Sequence, residues 1–349
     1  MAALRSDWLV CHVVLRGGGY KADINESSAE KQAREDIRQG LLSFAVPVKH
    51  HPDKFVVGCG TNILIIKWDS STHAGSCRHY FLKSPHQPPH DPLPEGNRVS
   101  FGTVDSSEKL WFATTNDNPE YSTLNLGSVY YLDQNTILEK KISALPSVTG
   151  GFVGDHTFTE GSEHSPPDRI YYADTLNHEI IGYDVTIEHG SLFLERREVV
   201  FNFLQHGVRG SPGRIAIDTG GSLWVPLLGG GGVIEFNPIQ QRVVQFIRIP
   251  AAQVGACTFG GHNWETLYVS TIRYEFKEPH GQRPPRDKGG HLYAIHGLGV
   301  RGVPTSEYIL NKRVLFEAFA FLDNYRPNYR RRRDSTVRGS SGEGNSGTL

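Results

Sequence analysis

Long apolar runs are missing from this sequence. Nothing approaches the ~20 consecutive apolar residues that cross a bilayer, so no membrane role is expected. Cysteine is scarce. Cys11, Cys59, Cys77 and Cys257 lie far apart and form no CxxC pair, which argues against a zinc knuckle or a redox motif. Neither sign of charge prevails: 36 Lys and Arg stand against 37 Asp and Glu, leaving no field to draw nucleic acid or an anionic membrane to the body of the protein. A Gly-x-Ser-x-Gly elbow, an HExxH pair and a phosphate-binding loop are also absent; the run Gly229 to Gly232 is not followed by Lys and Ser or Thr. The apolar stretch Trp8 to Leu15 follows Arg5, but His12 interrupts it and no small-residue cleavage site comes after it. It is therefore not read as a secretory leader. On that reading the thiols are reduced and the protein is cytoplasmic.

Backbone breakers, by contrast, are abundant. The 38 glycines and 20 prolines suit short strands joined by tight turns rather than long helices. Five segments repeat one plan of apolar strand, polar or Gly-rich turn, and second strand: Lys54 to Asp69, Lys109 to Asp133 with an insertion, Arg169 to Asp184, Ser222 to Pro238, and Thr266 with a partner from Gly289. Each is a hairpin signature. Their starts recur at roughly 45 to 60 residues, the interval of a four-stranded propeller blade with variable loops. Between them lie apolar runs such as SFAVPV, TVDSS, VTGGFV, RIAID and GACTFGG, candidates for each blade's innermost strand. A lone hairpin is barely stable, so such units must stack around an axis. A β-sandwich with coincidental hairpins is the competing architecture.

The ends depart from the plan. Residues 1–41 hold one strand-like run and the charged stretch ESSAEKQAREDIRQGLL, which Ser27 or Ser28 can cap as a helix that Gly40 ends. The propeller is expected over 42–304. Over 305–325, Val314, Leu315, Ala318, Phe319 and Leu322 have helical spacing. Residues 326–349 are polar and Gly/Ser-rich, a disordered composition; within them Arg330 to Arg333 reads either as a solvated tail or as a nuclear-import patch.

Taken in order, FAVPV…KFVVGCGTNILIIKWD, NRVSFGTVD, GSVYYL, IYYADT…IIGYD, IAIDTGGSLWV, GGVIEFNP, CTFGG…LYVST and GLGVRGVP resemble the regucalcin, senescence-marker-protein and gluconolactonase family, particularly its insect forms. The resemblance covers roughly residues 42–304. It implies an all-β, six-bladed β-propeller whose first blade is here divergent or incomplete, with helical and disordered extensions at the ends. It also implies one divalent cation near the central channel, calcium, zinc or manganese. Such an ion acts as a Lewis acid on a sugar lactone and lowers the pKa of the attacking water. Hard cations of this kind take oxygen ligands.

Carried over residue by residue, the resemblance weakens at the site. The first-blade motif GEGPxW, with its Glu ligand, has no counterpart in residues 1–41. The motif ISNGL reads VTGGF, which puts Gly150 at the Asn ligand; PDG reads PGR, which puts Gly213 at the Asp ligand. The substrate-gripping RxND reads Arg98-Val99-Ser100-Phe101, so Arg98 and Ser100 are the implied substrate-binding positions. Asp155 and His156, beside an insertion carrying Glu160, Glu163 and His164, are candidate substitute ligands; a polar loop on the rim is the plainer reading. His86 and His90 belong to a Pro-stiffened loop, and Asp174 and Glu265 to turns and strand edges. The expectation is a regucalcin/gluconolactonase-like propeller with lactone hydrolysis and calcium binding weakened or lost. No catalytic residue is identified, and the cofactor is calcium, zinc or none. The partner implied is a sugar lactone or sugar acid. The alternatives are a non-catalytic propeller that binds a small molecule or protein, and an active lactonase with a rearranged metal site.

Overall fold

The computed structural model describes residues 42–67, 78–85, 96–116, 124–145, 150–155, 167–189, 191–274 and 281–324. Expectations for the N-terminal helix, the run Trp8 to Leu15, His86, His90, His156 and Arg330 to Arg333 fall outside these residues. The described strands form five antiparallel sheets. The first holds β1 (Leu42–Val48), β2 (His51–Cys59), β3 (Asn62–Lys67) and β4 (Arg78–Lys83). The second holds β5 (Asn97–Val104), β6 (Leu110–Asn116), β7 (Gly127–Leu132) and β8 (Leu138–Leu145), and the third β9 (Phe152–Asp155), β10 (Arg169–Asp174), β11 (Glu179–Glu188) and β12 (Ser191–Asn202). In the fourth, the inner strand is broken into β13 (Ser211–Pro212) and β14 (Ala216–Ile217), followed by β15 (Leu223–Leu228), β16 (Gly232–Asn237) and β17 (Arg242–Arg248). The fifth holds β18 (Val254–Gly260), β19 (Thr266–Thr271) and β20 (Leu292–Ile295).

This is an all-β propeller, but with five blades among the described residues rather than the expected six. The sixth came from the resemblance; the sequence itself carries five hairpin modules, and each builds one blade. The chain returns from blade five to blade one through residues 301–308. Thr219 N–H donates to the Arg301 carbonyl at 2.8 Å, and Val303 N–H donates to the Ile217 carbonyl at 3.3 Å. Tyr308 then ladders against blade one, donating to the Pro47 carbonyl at 2.9 Å and accepting from Lys49 N–H at 3.0 Å.

Alternation explains why the blade strands read as near-continuous apolar runs. Successive side chains leave opposite faces of a strand, and each face here meets a neighbouring blade. Along β6, Leu110 and Phe112 enter the core between blades one and two, whereas Trp111 and Ala113 enter that between blades two and three. Along β10, Ile170 and Tyr172 face blade two, and Tyr171 and Ala173 face blade four. Burying one such large side chain contributes roughly 1.5–3 kcal/mol. No blade can obtain that alone.

A second device recurs. Asp105, at the end of β5, accepts from Trp111 Nε1 at 2.8 Å and Lys109 N–H at 3.1 Å. Asp218 accepts from Trp224 Nε1 at 2.9 Å, Ser222 N–H at 3.0 Å and Gly220 N–H at 2.8 Å. Both carboxylates and both indoles are buried. A buried charge is tolerable when it is paired or hydrogen-bonded, and these tie an inner strand to the next through its turn. Asp174 serves the turn after β10 in the same way, accepting from Leu176 and Asn177 N–H at 3.1 and 2.9 Å.

The apolar spacing near the C-terminal end forms helix α1 (Lys312–Asn324). Asn311 caps it, its side-chain oxygen accepting from Val314 N–H at 2.9 Å. Ala318 and Leu322 are fully buried against blade one, with Val314, Leu315 and Phe319 beside them. No helix among the described residues is long and apolar enough to cross a membrane.

Candidate functional site

The inner strands β1, β5, β9, β14 and β18 converge on a central channel of about 610 Å³, which the return segment 303–306 borders as well. At one level of this channel the inner strands are joined directly. Val99 N–H donates to the Gly60 carbonyl at 2.8 Å, Ile215 N–H to Gly150 at 3.3 Å, Arg214 N–H to Gly255 at 2.9 Å, and Cys257 N–H to Arg214 at 3.1 Å. Backbone from all five blades is thus linked near the sequence positions of interest, through the inner strands except at Gly60, which lies in the turn between β2 and β3.

Arg214 dominates that level. Leaving blade four, its Nη1 donates to the Ser43 carbonyl of blade one at 2.9 Å, and its Nη2 to the Ser100 carbonyl of blade two at 2.7 Å. The same guanidinium lies 5.7 Å from the centre of the Phe101 ring, a cation–π distance. Its rigid planar fork presents a separate nitrogen to each acceptor, a geometry that a compact ammonium on a flexible stem does not pre-organise. Cys257, on the channel wall, donates its thiol to the Trp224 carbonyl at 3.2 Å; burial pushes its pKa up, so it stays a thiol.

Gly213 precedes Arg214 in the chain and Gly150 accepts from Ile215 N–H; both are in positions that exclude a side chain, and neither is among the channel-lining residues. A Cβ on Gly150 would lie 2.5 Å from the Ala173 carbonyl oxygen, and one on Gly213 only 2.3 Å from that of Gly255. Gly151, at φ +75°, adds a turn that only glycine makes without strain, with the Phe101 ring where its Cβ would be. Ser100 is buried. Its hydroxyl reaches the Ala113 carbonyl at 3.4 Å, and its own carbonyl is the group that meets Arg214. Arg98 lies at the start of β5, half-buried, its Nη1 donating to the Val99 carbonyl at 3.2 Å, and is not among the channel-lining residues. Asp155 ends β9, five residues past Gly150, which is roughly 16 Å along an extended strand. It is buried there, and its charge helps to raise the Tyr171 pKa. Arg214 itself was legible as the charged residue that opens the run RIAID, ahead of three apolar residues and Asp218. A charge at such a place needs partners.

A hard divalent cation, as the resemblance implies, needs several oxygen ligands with net negative charge. The described residues do not fit that requirement. Two of the expected donor positions are glycines without room for a side chain, a guanidinium holds the adjacent carbonyls, and no group of three His, Cys, Asp or Glu gathers anywhere among the described residues.

The family model for the SMP-30/gluconolactonase/LRE-like region matches residues 20–273. The chain belongs to this family. Among its relatives is regucalcin of Sus scrofa, 27% identical over 217 residues, or 61% of this chain and 67% of the relative. A Bacillus subtilis protein named as a putative sugar lactone lactonase, YvrE, is 29% identical over 210 residues, or 60% of this chain and 66% of the relative. The chain thus spans about two thirds of the length of the curated relatives it matches. The solved structure of a luciferin-regenerating enzyme superposes with a TM-score of 0.65 at 25% identity, covering 77% of this chain and 82% of the other.

Proposed function

We propose that this protein is a non-catalytic, small-molecule-binding propeller of the SMP-30/gluconolactonase/LRE-like family, in which metal-dependent lactone hydrolysis has been lost. One observation carries the reading: the Arg214 guanidinium bridges the Ser43 and Ser100 carbonyls, on a stretch of backbone that follows Gly213 and bonds to Gly150 through Ile215. A positive charge built into that stretch opposes a cation electrostatically as well as sterically. At ~4 Å and an effective dielectric of ~20, a doubly charged ion meets about 8 kcal/mol of repulsion from one guanidinium. Cys257, buried and held as a thiol, agrees with a reducing, cytoplasmic setting.

The test is calorimetric titration of the full chain with calcium, zinc and manganese, alongside hydrolysis of gluconolactone with and without each ion. The expected result is no binding tighter than millimolar and no hydrolysis that a metal stimulates. Micromolar binding accompanied by metal-stimulated hydrolysis would return the protein to the lactonases, with its site rearranged.

A further inference from the structure

The channel wall states what kind of molecule it would take. Its half-buried inner surface is presented by Ala45 of blade one, Phe101 and Thr103 of blade two, Val153 of blade three, and Ala256 and Thr258 of blade five. Among the described lining residues only two carry charge, and both are engaged by protein groups. Arg214 gives its two Nη groups to Ser43 and Ser100, and Asp105 accepts from Trp111, Lys109 and Ser107. The remaining polar side chains on the described wall are seven Ser and Thr hydroxyls, Thr103 and Thr258 among them, the Trp111 indole N–H held by Asp105, and the Cys257 thiol bonded to the Trp224 carbonyl.

A sugar lactone or sugar acid presents a hydroxyl on nearly every carbon, and each one buried needs a partner. Among the described lining residues there is no Asn or Gln amide to serve that purpose, and the two ionised side chains already hold protein groups. A volume of about 610 Å³ lies within the range of small-molecule sites, which are mostly apolar with a few placed polar groups. We infer that the channel binds a neutral, largely apolar small molecule of aromatic or similarly flat shape, carrying one or two hydroxyl or carbonyl groups, and that it discriminates against polyhydroxylated sugars. This rests on the reading of the protein as a binding propeller, but not on the fate of the metal.

The probe is 2-naphthol, neutral at pH 7, titrated calorimetrically into the full chain in EDTA, with gluconate as the polyol. Thr103→Phe on blade two and Ala256→Leu on blade five narrow the channel from different blades, and a thermal melt establishes that each variant folds. The expected result is one 2-naphthol per chain, bound in the micromolar to millimolar range, weakened about tenfold or more in whichever variant folds, with no heat from gluconate. Absence of 2-naphthol binding, binding that the folded variants retain unchanged, or gluconate bound as tightly would each overturn the inference. Tight calcium or zinc uptake by a protein that still binds 2-naphthol in EDTA would sink the loss of metal chemistry and leave this inference standing. A protein that takes up neither metal nor 2-naphthol would do the reverse.

Discussion

Replacing Arg214 with Met removes the guanidinium while keeping most of the aliphatic stem. In the wild type, two hydrogen bonds from this charged group, at 2.9 and 2.7 Å, join blade four to blades one and two across 171 and 114 residues of sequence. A hydrogen bond to a charged group contributes about 1.5–3 kcal/mol, so the pair is worth roughly 3–6 kcal/mol before compensation. The residue is only half-buried and borders a channel of about 610 Å³, so water can reach the Ser43 and Ser100 carbonyls once they are released. That brings the expected loss to about 2–4 kcal/mol. At a few degrees per kcal/mol for a domain of this size, the melting temperature should fall by about 5–10 °C. Arg214→Lys should lie between the two, because it keeps the charge and loses the rigid fork that presents one nitrogen to each carbonyl. Differential scanning calorimetry with parallel guanidinium chloride melts measures both variants. A Met variant within about 0.5 kcal/mol of wild type, the ordinary range for an inconsequential surface change, would refute the idea that this guanidinium braces the ring.

Restoring side chains at the two glycines should harm the fold without recovering a site. Gly213→Asp and Gly150→Asn each set a Cβ against a carbonyl oxygen, at 2.3 and 2.5 Å, and overpacking against backbone should cost about 3 kcal/mol or more; unchanged denaturation midpoints, or a gain of calcium binding, would contradict this. Asp218→Ala strips Trp224 Nε1 and the Ser222 and Gly220 N–H groups of their acceptor and should lose about 3–5 kcal/mol, with Asp218→Asn losing roughly half as much because one oxygen remains. A loss below about 1 kcal/mol in the Ala variant would remove the Asp–Trp tie from the list of stabilising features. At high pH, Tyr171 is the group to follow: burial, assisted by the charge of Asp155, pushes its pKa up to about 12. The folded state therefore keeps the phenol proton longer than the unfolded chain, whose tyrosine titrates near pH ~10. Its contribution to stability is complete below that pH and is lost as pH rises to about 12. Tyrosinate absorbance and circular dichroism should then change together in this window, and Tyr171→Phe should unfold at higher pH; full tyrosine titration by about pH 10 with the fold intact would be inconsistent with such burial.

Local features were readable from the residues alone. Apolar runs bounded by turn residues gave the hairpins, because a strand buried on both faces has few polar positions to spare, as Leu110 to Ala113 and Ile170 to Ala173 illustrate. The spacing of Val314, Leu315, Ala318, Phe319 and Leu322 marked helix α1, since a 3.6-residue period returns those side chains to one face. Asp174 was legible as a turn residue, its partners being two and three residues away. The tie between Asp105 and Trp111, repeated by Asp218 and Trp224 at the same spacing, was equally local and went unread.

The closure of the ring and the site belong to the tertiary structure. A sixth blade was expected by analogy, yet the return of residues 301–308 onto blade one is made by backbone hydrogen bonds that carry no residue signature. Gly150 and Gly213 announced missing side chains, but not the carbonyls of Ala173 and Gly255 packed against them. The run RIAID showed a lone arginine; that it reaches Ser43 and Ser100 depends on three inner strands, distant in sequence, meeting at one level of the axis. Side-chain alternation and helical period act over a few residues and are written in the chain. Which atoms face one another across a propeller channel is set by how the blades close around it, and only the folded ring contains that information.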